Sequence, residues 1–354
     1  MTFIAAVSRG VLGLLGSLPD PVLRRIAGAQ EQIDGRTVYP EVGAALRLLN
    51  ALPGPSFEEL PIDAGRAQVE EEAAIFGRRT RVGRVTDFLI PTDHGPMRAR
   101  RYDPRPDGPG SAVLLYAHGG GFTIGSLETV DSVCRFLCRH ADITVISVDY
   151  RLAPEHPFPA ATEDLLTAYR WAVGQAPTWG IGTDRILVGG DSAGGNLAVV
   201  TAVQVRDRRR EGVEELPTPL LQVAFFPWVD FVGAHPSHIK FEFGYFLTKA
   251  QLDWYADQYL PDPDLRTHPY ASPLLAEDLS DLGPAYVGIA GFDPLRDEGL
   301  ALAAKMAAAG NRVEVDVDER HIHAYVNATG VGSRSSAALM RAVTAIRRAV
   351  ATAG

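Results

Sequence analysis

The 354-residue chain has only two cysteines, Cys134 and Cys138, and four methionines. Two cysteines cannot build a disulfide scaffold. Four residues apart on a helix, they share one face and read as small buried apolar side chains, with no neighbouring His or Cys to make a metal motif. Lysine is nearly missing, occurring only at Lys240, Lys249 and Lys305. The 43 acidic residues outnumber the 34 basic ones, for a net charge of −9. Without a basic stripe or groove, nucleic acid is excluded as a partner. No apolar run approaches the ~20 residues that cross a bilayer. The nearest candidate, residues 1–18, is interrupted by Arg9, has no basic stretch ahead of it and is closed by Pro19 and Pro21. It reads as an amphipathic helix packed on the body, not a signal peptide or membrane anchor, and the expected location is cytoplasmic, without stable membrane insertion. Internal repeats and low-complexity tracts are also missing.

What is present is a 46% hydrophobic composition, enough for a sizeable core. Residues 1–75 read as helices punctuated by Pro and Gly, with helical spacing at 42–49 and 67–76. The character changes near Arg79. Residues 81–90 and 97–102 alternate as strands around the turn at 92–96. Strands at 112–117, 143–148, 185–188, 220–226, 285–290 and 312–317 then alternate with helices at 127–140, 159–173, 193–208, 298–309 and 333–350. Such alternation predicts an α/β protein, a mostly parallel sheet covered by helices on both faces. Residues 230–272 break the rhythm. They are rich in aromatics and Pro, from Phe231 to Tyr270, where a short crossover would suffice. An insertion of that kind is expected to lie over the strand ends as a lid.

The chemistry centres on Gly190-Asp191-Ser192-Ala193-Gly194-Gly195. The segment follows the apolar Arg185-Ile186-Leu187-Val188 and precedes a helical pattern. A G-x-S-x-G between strand and helix is a nucleophile elbow. The turn is so tight that small neighbours are needed, and the serine Oγ is pushed out at the strand's C-terminal edge. The helix dipole and free N–H groups at Ser192 face developing negative charge. Upstream, His118-Gly119-Gly120-Gly121 follows a strand, and such a loop can aim several amides at one point. No G-K-[ST] follows it, so an oxyanion hole is favoured over a nucleotide loop. His118 beside the glycines is read as orienting the loop, not as a base. Asp293 follows the strand at 285–290; Asp297 and Glu298 are its rivals as the acid, though they read as N-terminal helix charges. His321 and His323 both follow the last strand, where the chain order Ser, Asp, His places the base.

Three ordered segments carry a family resemblance: His118-Gly119-Gly120-Gly121-Phe122, Asp149-Tyr150-Arg151-Leu152-Ala153-Pro154-Glu155-His156-Pro157-Phe158-Pro159-Ala160, and the elbow. Over residues 80–354 the chain resembles the hormone-sensitive-lipase family of carboxylesterases, bacterial esterase family IV. The resemblance implies an α/β-hydrolase fold, with a sheet of about eight strands and a helical cap. It divides the chain into an N-terminal cap segment (1–75), a first catalytic part (76–229), a cap insertion (230–272) and a second catalytic part (273–354). The family's acid motif matches Asp293-Pro294-Leu295-Arg296-Asp297-Glu298-Gly299, which selects Asp293. Its H-G-F matches His323-Ala324-Tyr325, which selects His323, with Ala324 departing from the family glycine. The resemblance thus implies a Ser192–His323–Asp293 triad and an oxyanion hole from the amides of Gly120, Gly121 and Ala193. His118, Gly119, Asp191 and the 149–160 loop are implied as support. No metal or organic cofactor is needed. The expected partner is a small-molecule ester, and the only protein partner allowed for is a second copy in a homodimer. The same triad also serves amidases, peptidases and acyltransferases, and the same scaffold carries non-catalytic receptors that lack the histidine.

Overall fold

A computed structural model describes residues 16–51 and 55–353. The helix expected at 1–18 therefore lies, up to residue 15, outside the described residues. One eight-stranded sheet forms the centre, in the order β1-β2-β4-β3-β5-β6-β7-β8. Its strands are β1 Arg84–Ile90, β2 Met97–Asp103, β3 Val113–Ala117, β4 Thr144–Val148, β5 Ile186–Asp191, β6 Gln222–Phe225, β7 Ala285–Phe292 and β8 Val313–Ile322. Only β2 runs against its neighbours; the pairs from β4 through β8 are parallel.

Every residue of β3 to β7 is buried. Apart from Thr144, Ser147, Asp191 and Gln222, their residues are accordingly apolar, as a sheet covered on both faces requires. Successive β3 side chains divide between two cores. Leu114 and Tyr116 meet Cys134, Leu137, Leu339 and Val343, while Val113 and Leu115 meet Leu165, Tyr169 and Leu197. The first core lies under α4 (Asp131–Ala141) and α10 (Arg334–Thr352), and the second under α5 (Ala160–Gln175) and α6 (Ala193–Arg210). α9 (Arg296–Ala308) adds Leu302 and Met306 on the α6 side. Cys134 and Cys138 are free and buried in the first core, and burial pushes the Cys138 thiol up to about 12.

Of the element boundaries that shift from the sequence expectation, two have a visible physical cause. The helix expected from 127 begins at Asp131, because Ser126 and Thr129 close a turn in which the Thr129 hydroxyl accepts from Ser126 N at 3.1 Å. The strand expected to end at 317 continues to Ile322. Its polar end hid it, since Asp318 and Arg320 find tertiary partners: Asp318 pairs with Arg341 at 3.0 Å, and Arg320 donates to Thr37 O at 2.9 Å.

The N-terminal segment forms α1 (Asp20–Ala27), α2 (Pro40–Ala51) and α3 (Ile62–Phe76). The insertion forms α7 (Pro236–Lys240) and α8 (Lys249–Tyr259). Thr248 starts α8 with a capping box, its Oγ1 accepting from Gln251 N while its own N–H donates to Gln251 Oε1, both at 3.1 Å. The two segments pack on each other. Phe57 stacks on Tyr255 at 5.6 Å, Lys240 pairs with Asp34 at 2.6 Å, and Val38, Val42 and Leu46 meet Phe241. Both also touch loops that follow sheet strands. Arg66 on α3 donates to Thr123 O at 2.9 Å and Ala153 O at 3.0 Å, while gripping Glu155 with two hydrogen bonds.

Candidate active site

Ser192 joins β5 to α6 with φ 56° and ψ −118°, a backbone conformation that non-glycine residues seldom adopt. The sequence allows this turn because its neighbours are small. A Cβ on Gly190 would lie 2.5 Å from the Ala117 carbonyl oxygen, and one on Gly194 would overlap that same oxygen. The elbow is therefore pressed against the end of β3. Ser192 N–H donates to Phe225 O at 2.9 Å, which ties the turn to β6 as well.

Asp293 directly follows β7 and is fully buried. Its Oδ1 accepts from Leu295 N at 2.9 Å, and its Oδ2 accepts from His323 Nδ1 at 2.8 Å. A carboxylate only accepts, so this bond places the imidazole proton on Nδ1 and leaves the Nε2 lone pair free. His323 directly follows β8, is 6% exposed, and has the Phe226 ring at 4.6 Å. Ser192, Asp293 and His323 thus all stand at the C-terminal ends of parallel strands, β5, β7 and β8, on the edge where α/β sheets collect their ligands.

The other histidine goes elsewhere. His321, the last-but-one residue of β8, is buried between Tyr39 and Tyr325, with ring centroids 5.1 and 4.9 Å away. Burial lowers its pKa to about 4. The rival carboxylates are also engaged. Both open α9, as read from the sequence, and both fasten the insertion. Asp297 accepts from Ser237 N at 2.9 Å. Glu298 accepts from Val229 N at 2.6 Å, Asp230 N at 3.2 Å and His238 Nε2 at 3.0 Å. Burial raises the Glu298 carboxyl well above its usual range.

The glycine loop after β3 needs its glycines. Gly120 and Gly121 have φ of +115° and +57°, and a Cβ on Gly121 would overlap the Tyr255 ring of α8. Thr123 N and Ile124 N both donate to Gly120 O, closing the turn at 3.0 and 2.9 Å. Ala193 is the first residue of α6, so its N–H belongs to the set a helix leaves without an internal acceptor. His118 is fully buried and stacks on Tyr150 at 4.2 Å, and its Nδ1 donates to Gly119 O at 2.8 Å. Burial lowers its pKa, which favours the neutral ring. Tyr150 OH donates to His118 O at 2.8 Å and Ala153 N to Phe122 O at 2.8 Å, so the 149–160 loop holds the glycine loop from behind. Arg151 in turn is locked onto Asp164 by hydrogen bonds of 2.8–3.0 Å.

A family model described as alpha/beta hydrolase fold matches residues 114–327. The carboxylic ester hydrolase LipN of Mycobacterium tuberculosis is 42% identical over 337 residues, covering 93% of this chain and 88% of LipN. The chain belongs to the hormone-sensitive-lipase-like carboxylesterases. The ethyl acetate hydrolase of Pseudomonas putida is 36% identical over 88% of this chain and 99% of its own length. The hyperthermophilic esterase of the archaeon Pyrobaculum calidifontis superposes with a TM-score of 0.82 at 38% identity, covering 89% of this chain and all of that one. Among the described residues, no helix is long and apolar enough to cross a membrane.

The family's glycine after the histidine is Ala324 here, and it sits in the left-handed region at φ 63°. Strain of that kind costs a non-glycine residue roughly 1 kcal/mol. Ala324→Gly relieves it and gives back about half of that gain through the freer unfolded chain. The variant is expected to melt about 0.5–1 °C higher, read by calorimetry. An unchanged or lower melting temperature would show that the turn is not strained.

Three contributors escaped sequence reasoning. Tyr255 packs over Gly121, Arg66 pins two loops, and Asn327 donates to Asp191 Oδ2 at 3.0 Å. Each partner lies more than fifty residues away in sequence, and no local motif announces it.

Proposed function

We propose that this chain is a serine carboxylesterase that cleaves short- to medium-chain esters through an acyl-enzyme. The reading rests above all on the 2.8 Å hydrogen bond from His323 Nδ1 to Asp293, which leaves Nε2 free as a base on the same sheet edge as Ser192. In this mechanism His323 Nε2 takes the Ser192 Oγ proton as Oγ attacks the ester carbonyl. The C–O bond then breaks, and the same nitrogen returns the proton to the leaving alcohol. Asp293 holds the tautomer and stabilises the imidazolium. The amides of Gly120, Gly121 and Ala193 receive the oxyanion, each worth on the order of 3 kcal/mol of barrier. Water, activated by His323, releases the acid and restores Ser192.

The N-terminal helices and the insertion serve as the roof of the acyl site. Phe122 stacks on Tyr259 at 3.8 Å, with Trp228, Phe231 and Tyr255 beside them, an apolar aromatic surround for an alkyl chain. Each buried CH₂ adds about 0.8 kcal/mol until the roof is met. Activity on p-nitrophenyl esters is therefore expected to peak between about four and eight acyl carbons. A strong preference for long-chain triglyceride emulsions over soluble short esters would overturn this and recast the insertion as an interface-binding lid.

A further inference from the structure

Asp191 is a buried carboxylate immediately before the nucleophile, and the proton relay above does not use it. Its Oδ1 accepts from Tyr116 OH of β3 at 2.9 Å, and its Oδ2 accepts from Asn327 Nδ2 at 3.0 Å. The same Oδ2 lies 2.6 Å from where a Cβ on Gly119 would stand, so the carboxylate also abuts the start of the glycine loop. Asn327 ends the short 3-10 turn Tyr325–Asn327 that follows His323. Its amide oxygen is buried and has no partner, and the bond to Asp191 is the one its side chain makes among the described residues. Leaving a buried amide half satisfied costs stability. A turn kept at that cost, linking the base-bearing loop to the nucleophile strand, points to a role in alignment.

We propose that Asp191 and Asn327 form a positioning pair. Asn327 fastens the His323 loop to the strand that carries Ser192, with the Asp191 carboxylate as the acceptor that anchors it. Asp293 grips the imidazole by Nδ1, and Asp191 fixes where the loop carrying it sits relative to Ser192. The titratable groups facing Asp191 are Tyr116 on β3, His118 in the glycine loop, Tyr150 after β4, Cys134 on α4 and His323 after β8. The tyrosines and the cysteine are held neutral by burial. Burial also raises the Asp191 carboxyl, while its hydrogen bonds to Tyr116 and Asn327 and the two histidines oppose that rise.

The proposal rests on the hydrolytic reading, and the two fail differently. If wild type neither hydrolyses p-nitrophenyl butyrate nor is labelled at Ser192 by a phosphonate ester, the hydrolytic reading is wrong. If wild type does both, three variants test the pair by kcat, KM and pH profile, each normalised to the labelled fraction so that misfolding does not count. Asn327→Ala is expected to lower kcat about 10- to 100-fold with KM nearly unchanged, as misalignment of a reacting pair does. Asp191→Asn keeps the shape and removes the charge. It is expected to lower kcat about tenfold with KM nearly unchanged, because its amide presents a donor where the carboxylate only accepts from Tyr116 and Asn327. Asn327→Asp keeps a donor only while one of the facing carboxyls holds a proton, so its activity is expected to fall away on the alkaline side, unlike wild type. Normalised kcat within twofold of wild type in both Asn327→Ala and Asp191→Asn would overturn the proposal. So would an Asn327→Asp variant whose pH profile matches that of wild type, because a purely structural contact would behave that way.

Discussion

Ser192→Ala is expected to lower kcat on a soluble p-nitrophenyl ester by on the order of 10⁴- to 10⁶-fold, and His323→Ala by a similar factor. Nucleophile and base act as one unit, so removing either leaves only binding and the oxyanion amides. Asp293→Asn should cost on the order of 10⁴-fold. Its amide can donate to Nδ1 and so favour the wrong imidazole tautomer, in place of a carboxylate that accepts from Nδ1 at 2.8 Å. Folding is not expected to limit Ser192→Ala, because the change removes one hydroxyl from a residue 8% exposed. The informative control is His321→Ala. That ring packs between Tyr39 and Tyr325 and has no part in the Asp293 bond, so the variant should lose stability but retain activity within a few fold. A dead His321→Ala beside an active His323→Ala would transfer the role of base to His321.

Gly194→Ala is expected to abolish activity by a different route. The added methyl would overlap the carbonyl oxygen of Ala117, a backbone atom fixed in β3, and its neighbouring backbone. Neither side has a flexible side chain that can give way. Either α6 lifts from the sheet or the elbow turns, and both move Ser192. A displacement of about 1 Å costs a reacting pair on the order of 100-fold, and overpacking of this kind costs typically 1–3 kcal/mol of stability. Gly212→Ala is the matched control. Gly212 has φ +67°, but a Cβ there meets nothing within 4 Å, so strain is added without overlap. That variant should lose some stability and keep its kcat. If Gly194→Ala retained wild-type kcat and melting temperature, close contact between elbow and β3 would be ruled out as the reason for the glycine.

Much of this architecture is written in local sequence. The runs at 113–117 and 285–292 are apolar without alternation because both faces of those strands are covered, and that pattern needs no tertiary knowledge to read. The elbow and the glycine loop are legible for a related reason. Ser192 at φ 56° and Gly120 at φ +115° impose steric demands on their immediate neighbours, so the residues that satisfy them sit side by side in the chain. The first-turn position of Asp297 and Glu298 on α9 was readable in the same way.

Long-range packing decided the rest. His321 and His323 are two residues apart near one strand end, and periodicity alone cannot separate them. Only the extension of β8 to Ile322 buries one ring against Tyr39 and leaves the other past the strand, within reach of Asp293. Glu298 looks like an ordinary helix-start charge. The insertion returns two backbone N–H groups into the interior at Val229 and Asp230, and a buried carboxylate is what satisfies them. Asn327 reaches Asp191 across 136 residues and Arg66 reaches Ala153 across 87, with nothing local to mark either. Elements, their order and the tight turns are legible locally, because propensity and steric exclusion act between near neighbours. The tertiary structure decided which side chains meet, because buried polar groups must find partners wherever the packed sheet brings them.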